Sequence, residues 1–269
     1  MRSECIYLLQ ELTGKNYVVF TRRGNSSISN VLESLKNIGK NLLLIQDQGG
    51  WMTYEKYAKE HDINCMMLKT RYGLVDPIQL ENYHDAVLLI NSMPAYSFSE
   101  DMNSIEIHAK ENNIFIVNDA SGSIGTPNAK IGDVIIGSFG KWKPINVGEG
   151  GFIATDNEKL YSELSGKIAY TPTSSFLKEL ETKLKNLNKR LDFLKEKRQD
   201  LLKDLENENF DVIFPDSEGL NIIVRFGDDK EKKRIISFCE TNNVEYTECP
   251  RYIRVNDNAI SIEIKRLDN

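Results

Sequence analysis

Long apolar runs are missing: none approaches the ~20 residues that a membrane-crossing helix needs, so no membrane partner is expected. Cysteine is scarce, with four in 269 residues, at 5, 65, 239 and 249, and no Cys-x-x-Cys pair. That argues against a disulfide framework and for free thiols in a reducing, cytoplasmic compartment. His61, His84 and His108 are scattered and share no motif with a cysteine, which speaks against a zinc site. Positive charge is not in excess either. A net charge of −6 makes nucleic acid an unexpected partner. The N-terminal MRSECIYLLQELTGK has acids inside its short apolar stretch and no small-residue cleavage site, so no signal peptide is expected. Internal repeats and low-complexity linkers are absent as well. What remains is a chain 40% hydrophobic and 28% charged, enough for one large domain plus a small one.

The first part of the chain alternates. Residues 2–12 predict an amphipathic helix stopped by Gly14, and Tyr17–Phe20 a strand. Ile28, Val31, Leu32 and Leu35 have helical spacing. Strands follow at 42–45, 65–68, 86–90 and 114–117, separated by helices at 53–60, 77–82 and 101–111. Val134–Ile136 and Phe152–Ala154 add short β-branched runs. Such alternation predicts an α/β fold, a mostly parallel sheet with helices on both faces, over residues 1–170.

Composition then changes. Phe176–Glu208 is rich in Lys, Leu and Glu, with leucines at 177, 184 and 191 and again at 180, 187, 194 and 201. Both series step by seven, which predicts one long helix with an apolar stripe. It is read as a connecting helix, 171–208, packed on its own chain or on a dimer mate. An intermolecular coiled coil is the alternative. Residues 209–269 predict a small C-terminal α+β domain: strands at 210–214, 221–225, 252–255 and 260–264 and a helix at 229–241.

Chemistry concentrates between Asn118 and Thr155. Ile114, Phe115, Ile116 and Val117 lead to Asp119, and Val134, Ile135 and Ile136 lead towards Lys143 and the glycine-rich turn Gly148-Glu149-Gly150-Gly151. One carboxylate and one amine thus stand at strand ends, where open α/β sheets bind ligands. Read alone, Lys143 is a solvated loop lysine and Asp119 a helix N-cap or turn residue.

SFGKWKPINVGEGG resembles the lysine motif of the DegT/DnrJ family of pyridoxal-phosphate aminotransferases, which have the type I fold. Ser138, Phe139, Lys143, Gly148, Glu149, Gly150 and Gly151 fall on its positions, and Asp119 in VNDASGS on the family's strand-ending aspartate. The resemblance covers roughly residues 17–157. It implies pyridoxal 5′-phosphate as cofactor, held through a Lys143 Schiff base, with Asp119 at the pyridine nitrogen. Lys141 is the competitor for the lysine role. Gly24, Asn25 and Ser26 fall on the family's phosphate segment, with Arg23 in place of its first serine, and Ser138 is a further phosphate candidate. Trp51, or failing it Tyr54, takes the ring-stacking place. Three positions after the aspartate the family has Gln or His touching the ring oxygen. Here that position is Gly122, with Ser121 or Ser123 as compensation.

The implied activity is transfer of an amino group between a small-molecule donor and a small keto or sugar-like acceptor. The alternatives are a lyase or aldolase acting on an amino acid, and a non-catalytic binding protein. Type I sites lie at a dimer interface, so a homodimer is expected. Arg254 and Arg225, near the ends of small-domain strands, are the candidates for a substrate carboxylate, against the reading of solvated strand arginines.

Overall fold

The computed structural model describes residues 1–268. Its elements are α1 (Arg2–Thr13), β1 (Tyr17–Thr21), α2 (Gly24–Asn37), β2 (Leu42–Gln46), α3 (Tyr54–Glu60), β3 (Asn64–Leu68), β4 (Thr70–Arg71) and β5 (Leu74–Val75). They continue with β6 (Val87–Asn91), α4 (Met102–Glu111), β7 (Phe115–Asp119), β8 (Val134–Ser138), β9 (Gly151–Thr155) and α5 (Glu158–Lys167). The C-terminal part holds α6 (Ser174–Lys185), α7 (Leu187–Asn207), β10 (Asp211–Val212), β11 (Ile222–Arg225), α8 (Asp229–Thr241), β12 (Tyr246–Glu248) and β13 (Ala259–Ile262).

A seven-stranded sheet runs in the order β1-β9-β8-β7-β6-β2-β3. β3, β2, β6, β7 and β8 are parallel, while β9 lies antiparallel between β8 and β1. The central strands are near-continuous Val, Ile and Leu because both faces are covered. α2, α3 and α5 cover one face, with Ile28, Val31, Leu35 and Leu164 packed on Leu43, Leu89 and Ile136. α4 covers part of the other, on Leu88, Ile90 and Ile116. α1, α6 and α7 cover the rest, with Leu9, Leu180 and Leu194 in one core with Phe20, Ile135 and Phe152.

Three expectations are corrected. The predicted single helix over 176–208 is two, broken at Asn186 (φ −98°, ψ 7°). The Asn186 side-chain amide donates to the Thr182 carbonyl at 2.8 Å, a local bond of the kind that draws asparagine out of helix interiors. Leu177, Leu184, Leu191, Leu194 and Leu201 are nonetheless buried in this chain's own core. α5 was not anticipated, although Asn157 caps it by accepting from the Leu160 amide.

The third correction lies in the second sheet, β10-β11-β13-β12. Its edge strands are β10 and β12, and the predicted strand 252–255 is a turn closed by the Arg251 amide to the Val255 carbonyl. That turn is tied to the large sheet instead. The Gly49 amide donates to the Tyr252 carbonyl at 2.6 Å. The Tyr252 hydroxyl donates to the Gln46 carbonyl at 2.7 Å. A segment whose polar groups are committed there cannot also form a ladder.

Candidate active site

The carboxyl ends of β1, β2, β6, β7 and β8 open on a cavity of about 550 Å³, closed from the other side by the 251–254 turn and the segment after β13. Asp119 and Lys143 both line it. Asp119 is the last residue of β7 and is buried. Its carboxylate accepts from the Tyr54 hydroxyl at 2.6 Å and from the Ser121 amide at 3.0 Å. Burial, and then the Asp119 charge, push the Tyr54 hydroxyl well above its ordinary value, so it stays a proton donor. Two donors thus fix the carboxylate's orientation.

Lys143 sits on the loop between β8 and β9. Its amine donates to the Tyr96 hydroxyl. It lies 4.5 Å from the Tyr96 ring centroid and 5.3 Å from that of Trp51. Lys141 also lines the cavity, but its amine lies 4.6 Å over the ring of Trp142, which is 37% exposed. Of the two lysines, Lys143 is the one enclosed by aromatic rings of the large sheet.

α2 begins at Gly24, after an extended Arg23, so its N-terminus faces the cavity with Gly24 and Asn25 in the lining. Only glycine fits its first position, because a Cβ there would stand 2.8 Å from Ser138 Cβ. The Gly150 amide donates to the Arg22 carbonyl, laying the glycine-rich turn against this entry. A helix N-terminus opened this way presents amides and a positive dipole end to an anion.

The structure brings most of the sequence candidates together. Gly24, Asn25, Trp51, Asp119, Ser121, Ser138, Lys143 and Arg254 line the cavity. The Trp51 indole donates to Asn25 Oδ1 at 2.8 Å, which ties the stacking candidate to the phosphate candidate. Ser26 is not in the lining, and its amide donates to the Arg23 carbonyl inside the helix entry. Tyr54 lies behind Asp119 rather than on the cavity. Ser123 is buried, with its hydroxyl at 2.6 Å from that of Ser92, so it offers nothing to the cavity. Arg225 is not in the lining; it is exposed and pairs with Asp211 at 2.7 Å. Arg254 is in the wall but is bound by Glu263 through two bonds of 2.9 Å.

Sequence reasoning missed Tyr96, Lys265 and Arg266. Tyr96 follows Ala95, and both take left-handed backbone (φ 60° and 56°) with no glycine to signal it. Its ring occupies the place a side chain at 122 would take. A Cβ on Gly122 would lie 2.9 Å from Tyr96 Cδ1. Gly122→Gln is therefore expected to destabilise the protein by about 2 kcal/mol through overpacking. Tyr96→Ala in the same chain should recover part of that loss in urea melts. Strictly additive losses would show that the ring is not the obstacle.

Residues 80–170, which include Asp119, Lys143 and the glycine-rich turn, match the model of the DegT/DnrJ/EryC1/StrS aminotransferase family. That match spans about a third of the chain. Residues 178–269 match a second model, described as the MJ1341 family C-terminal domain. Among solved structures the chain is similar to Helicobacter pylori PseC, an aminotransferase of pseudoaminic acid biosynthesis, at 12% identity and TM-score 0.79, covering 96% of this chain and 84% of that one. It is also similar to Escherichia coli GDP-4-keto-6-deoxy-D-mannose-3-dehydratase with bound hydrated PLP, at 14% and 0.75, covering 97% and 86%. A Thermus thermophilus aspartate aminotransferase of subgroup IV aligns at 13% and 0.76, covering 98% and 84%. At such identities these likenesses establish the shared fold. A search of curated proteins returned no match.

Proposed function

We propose that the protein binds pyridoxal 5′-phosphate in this cavity and transfers an amino group between small molecules, with Lys143 as the reacting amine. The observation that carries this reading is the placing of Lys143 and Asp119 on one cavity, with Gly24 at the helix entry beside them. The donor set suits an aromatic aldehyde that bears a phosphate. Lys143 would hold the aldehyde carbon, Asp119 the ring nitrogen, and Gly24, Asn25 and Ser138 the phosphate, with Trp51 on the ring face. When bound, the cofactor supplies an electron sink that weakens the bonds of the substrate α-carbon.

The remaining work falls to the chain. Asp119, oriented by Tyr54 and the Ser121 amide, keeps a proton on the ring nitrogen. The Tyr96 hydroxyl aims the Lys143 amine, which carries the proton to and from the substrate α-carbon. The rings of Trp51 and Tyr96 keep water from that amine. The substrates on this reading are an amino donor and a small keto or sugar-like acceptor, and the working unit is a homodimer.

The test is direct. Protein incubated with pyridoxal phosphate, reduced with borohydride and digested should carry the cofactor on the peptide with residue 143. Labelling of Lys141 instead, or no labelling, overturns the assignment. Sedimentation should give twice the chain mass, and a monomer with full cofactor binding would remove the dimer.

A further inference from the structure

The wall of the cavity opposite the large sheet holds more positive charge than its partners neutralise. Glu263 is fully buried, and Arg254 and Lys265 nearly so. On the one Glu263 carboxylate converge Arg254 through its two bonds, Lys265 Nζ at 3.0 Å and Arg266 Nε at 3.4 Å. Arg254, Lys265 and Arg266 all line the cavity. Arg266 has a second carboxylate, Glu245 at 2.5 Å, but that group is 61% exposed. Glu263 also accepts from Ser261 at 3.0 Å and Asn221 at 3.2 Å, so its acceptor capacity is used up.

We infer that Lys265 and Arg266, backed by Arg254 on Glu263, form a subsite for an anionic group of the substrate, a carboxylate or a phosphate. The inference rests on the reading of Lys143 as the reacting amine. Tyr96 shows how the two places are related. Lys143 Nζ lies 4.5 Å from its ring centroid and Lys265 Nζ 4.9 Å. A small substrate can thus present its reacting carbon to one amine and its anion to the other. Buried cations short of counter-charge are costly, and an anion entering from the cavity relieves that cost. Arg266 Nε is itself a buried donor with no hydrogen-bond acceptor. Lys265 has three N–H groups, of which Glu263 takes one.

The electrostatics agree. Burial lowers the Lys265 ammonium to about 8, against the pull of Glu263 and with the charges of Arg254 and Lys143 helping. Glu263 gains far more from the pairing than Lys265 does, because one carboxylate is shared by three cations. The groups facing Lys265 are Glu263 and Arg266 on its own segment, Arg254 on the neighbouring turn, and Tyr96 and Lys143 on the large-sheet loops. Anion binding should therefore weaken as pH rises through about 8.

The test is calorimetric titration of the cofactor-loaded protein with succinate and with inorganic phosphate, neither of which can exchange an amino group. Saturable binding of either is expected, at least tenfold weaker in Lys265→Met and kept in Lys265→Arg. Tighter succinate binding names a carboxylate, and tighter phosphate binding a phosphate ester. No binding of either anion, or equal affinity in Lys265→Met, overturns the subsite. Failure of the cofactor reading is separately visible, as an absent visible band in protein that still binds the anion.

Discussion

Lys143→Ala is expected to lower amino transfer at least about a thousandfold, because on the proposed function it removes both the cofactor's anchor and the group that moves the α-proton. The fold should survive. The Lys143 side chain borders a cavity, with its amine on the Tyr96 hydroxyl and near the ring of Trp51, so its loss should change stability by less than about 0.5 kcal/mol. Lys141→Ala serves as the control, with an expected loss of only a few-fold, since its amine lies over Trp142. The measurement is the spectral conversion of bound cofactor by a panel of amino acids, beside a urea melt of each variant. A Lys143→Ala protein that converts donors at the wild-type rate would refute the assignment.

The second large effect is on stability. Glu263→Gln keeps the shape of the side chain but removes the carboxylate that Arg254, Lys265 and Arg266 share. Breaking a buried ion pair from one side leaves charges uncompensated, and about 3–5 kcal/mol should be lost. The loss should depend on pH. Burial alone would raise the Glu263 carboxyl, but Arg254, Lys265 and Arg266 outweigh it and hold the group far below the usual carboxylate range. A carboxylate lowered on folding stabilises above its unfolded value of ~4.3, and that share is lost as pH falls towards the folded value. The gap between wild type and Glu263→Gln in denaturant melts should be full at pH 7 and narrow below about pH 4. A gap that stays constant down to pH 3 would mean that the charge of Glu263 contributes nothing.

Much of the large-sheet half was legible because its strands are unbroken β-branched runs and its helices are periodic. Asp119 and Lys143 were legible for a different reason: a local string, SFGKWKPINVGEGG, carries the glycines that the turn requires. Tyr96 was not legible, because its place depends on left-handed backbone at Ala95 and on empty space at Gly122, which come from distant parts of the chain. No motif in the sequence marks Lys265 and Arg266. Only the pairing of β13 with β11 and β12 puts them behind the cavity. Arg225 misled for a related reason. A strand-end arginine is equally well placed for an exposed partner, and Asp211 on the adjacent strand supplies one.

The junction between the two sheets has a kinetic consequence. The Tyr96 carbonyl accepts from the Leu220 and Asn221 amides at 2.7 and 2.9 Å, beside the clasp formed by Gly49, Tyr252 and Gln46. Each bond contributes roughly 0.5–1.5 kcal/mol, and all would have to open before the lobes could swing apart. On the proposed function, substrates then enter through a standing mouth rather than trigger a hinge, and turnover should be insensitive to solvent viscosity once ligands are saturating.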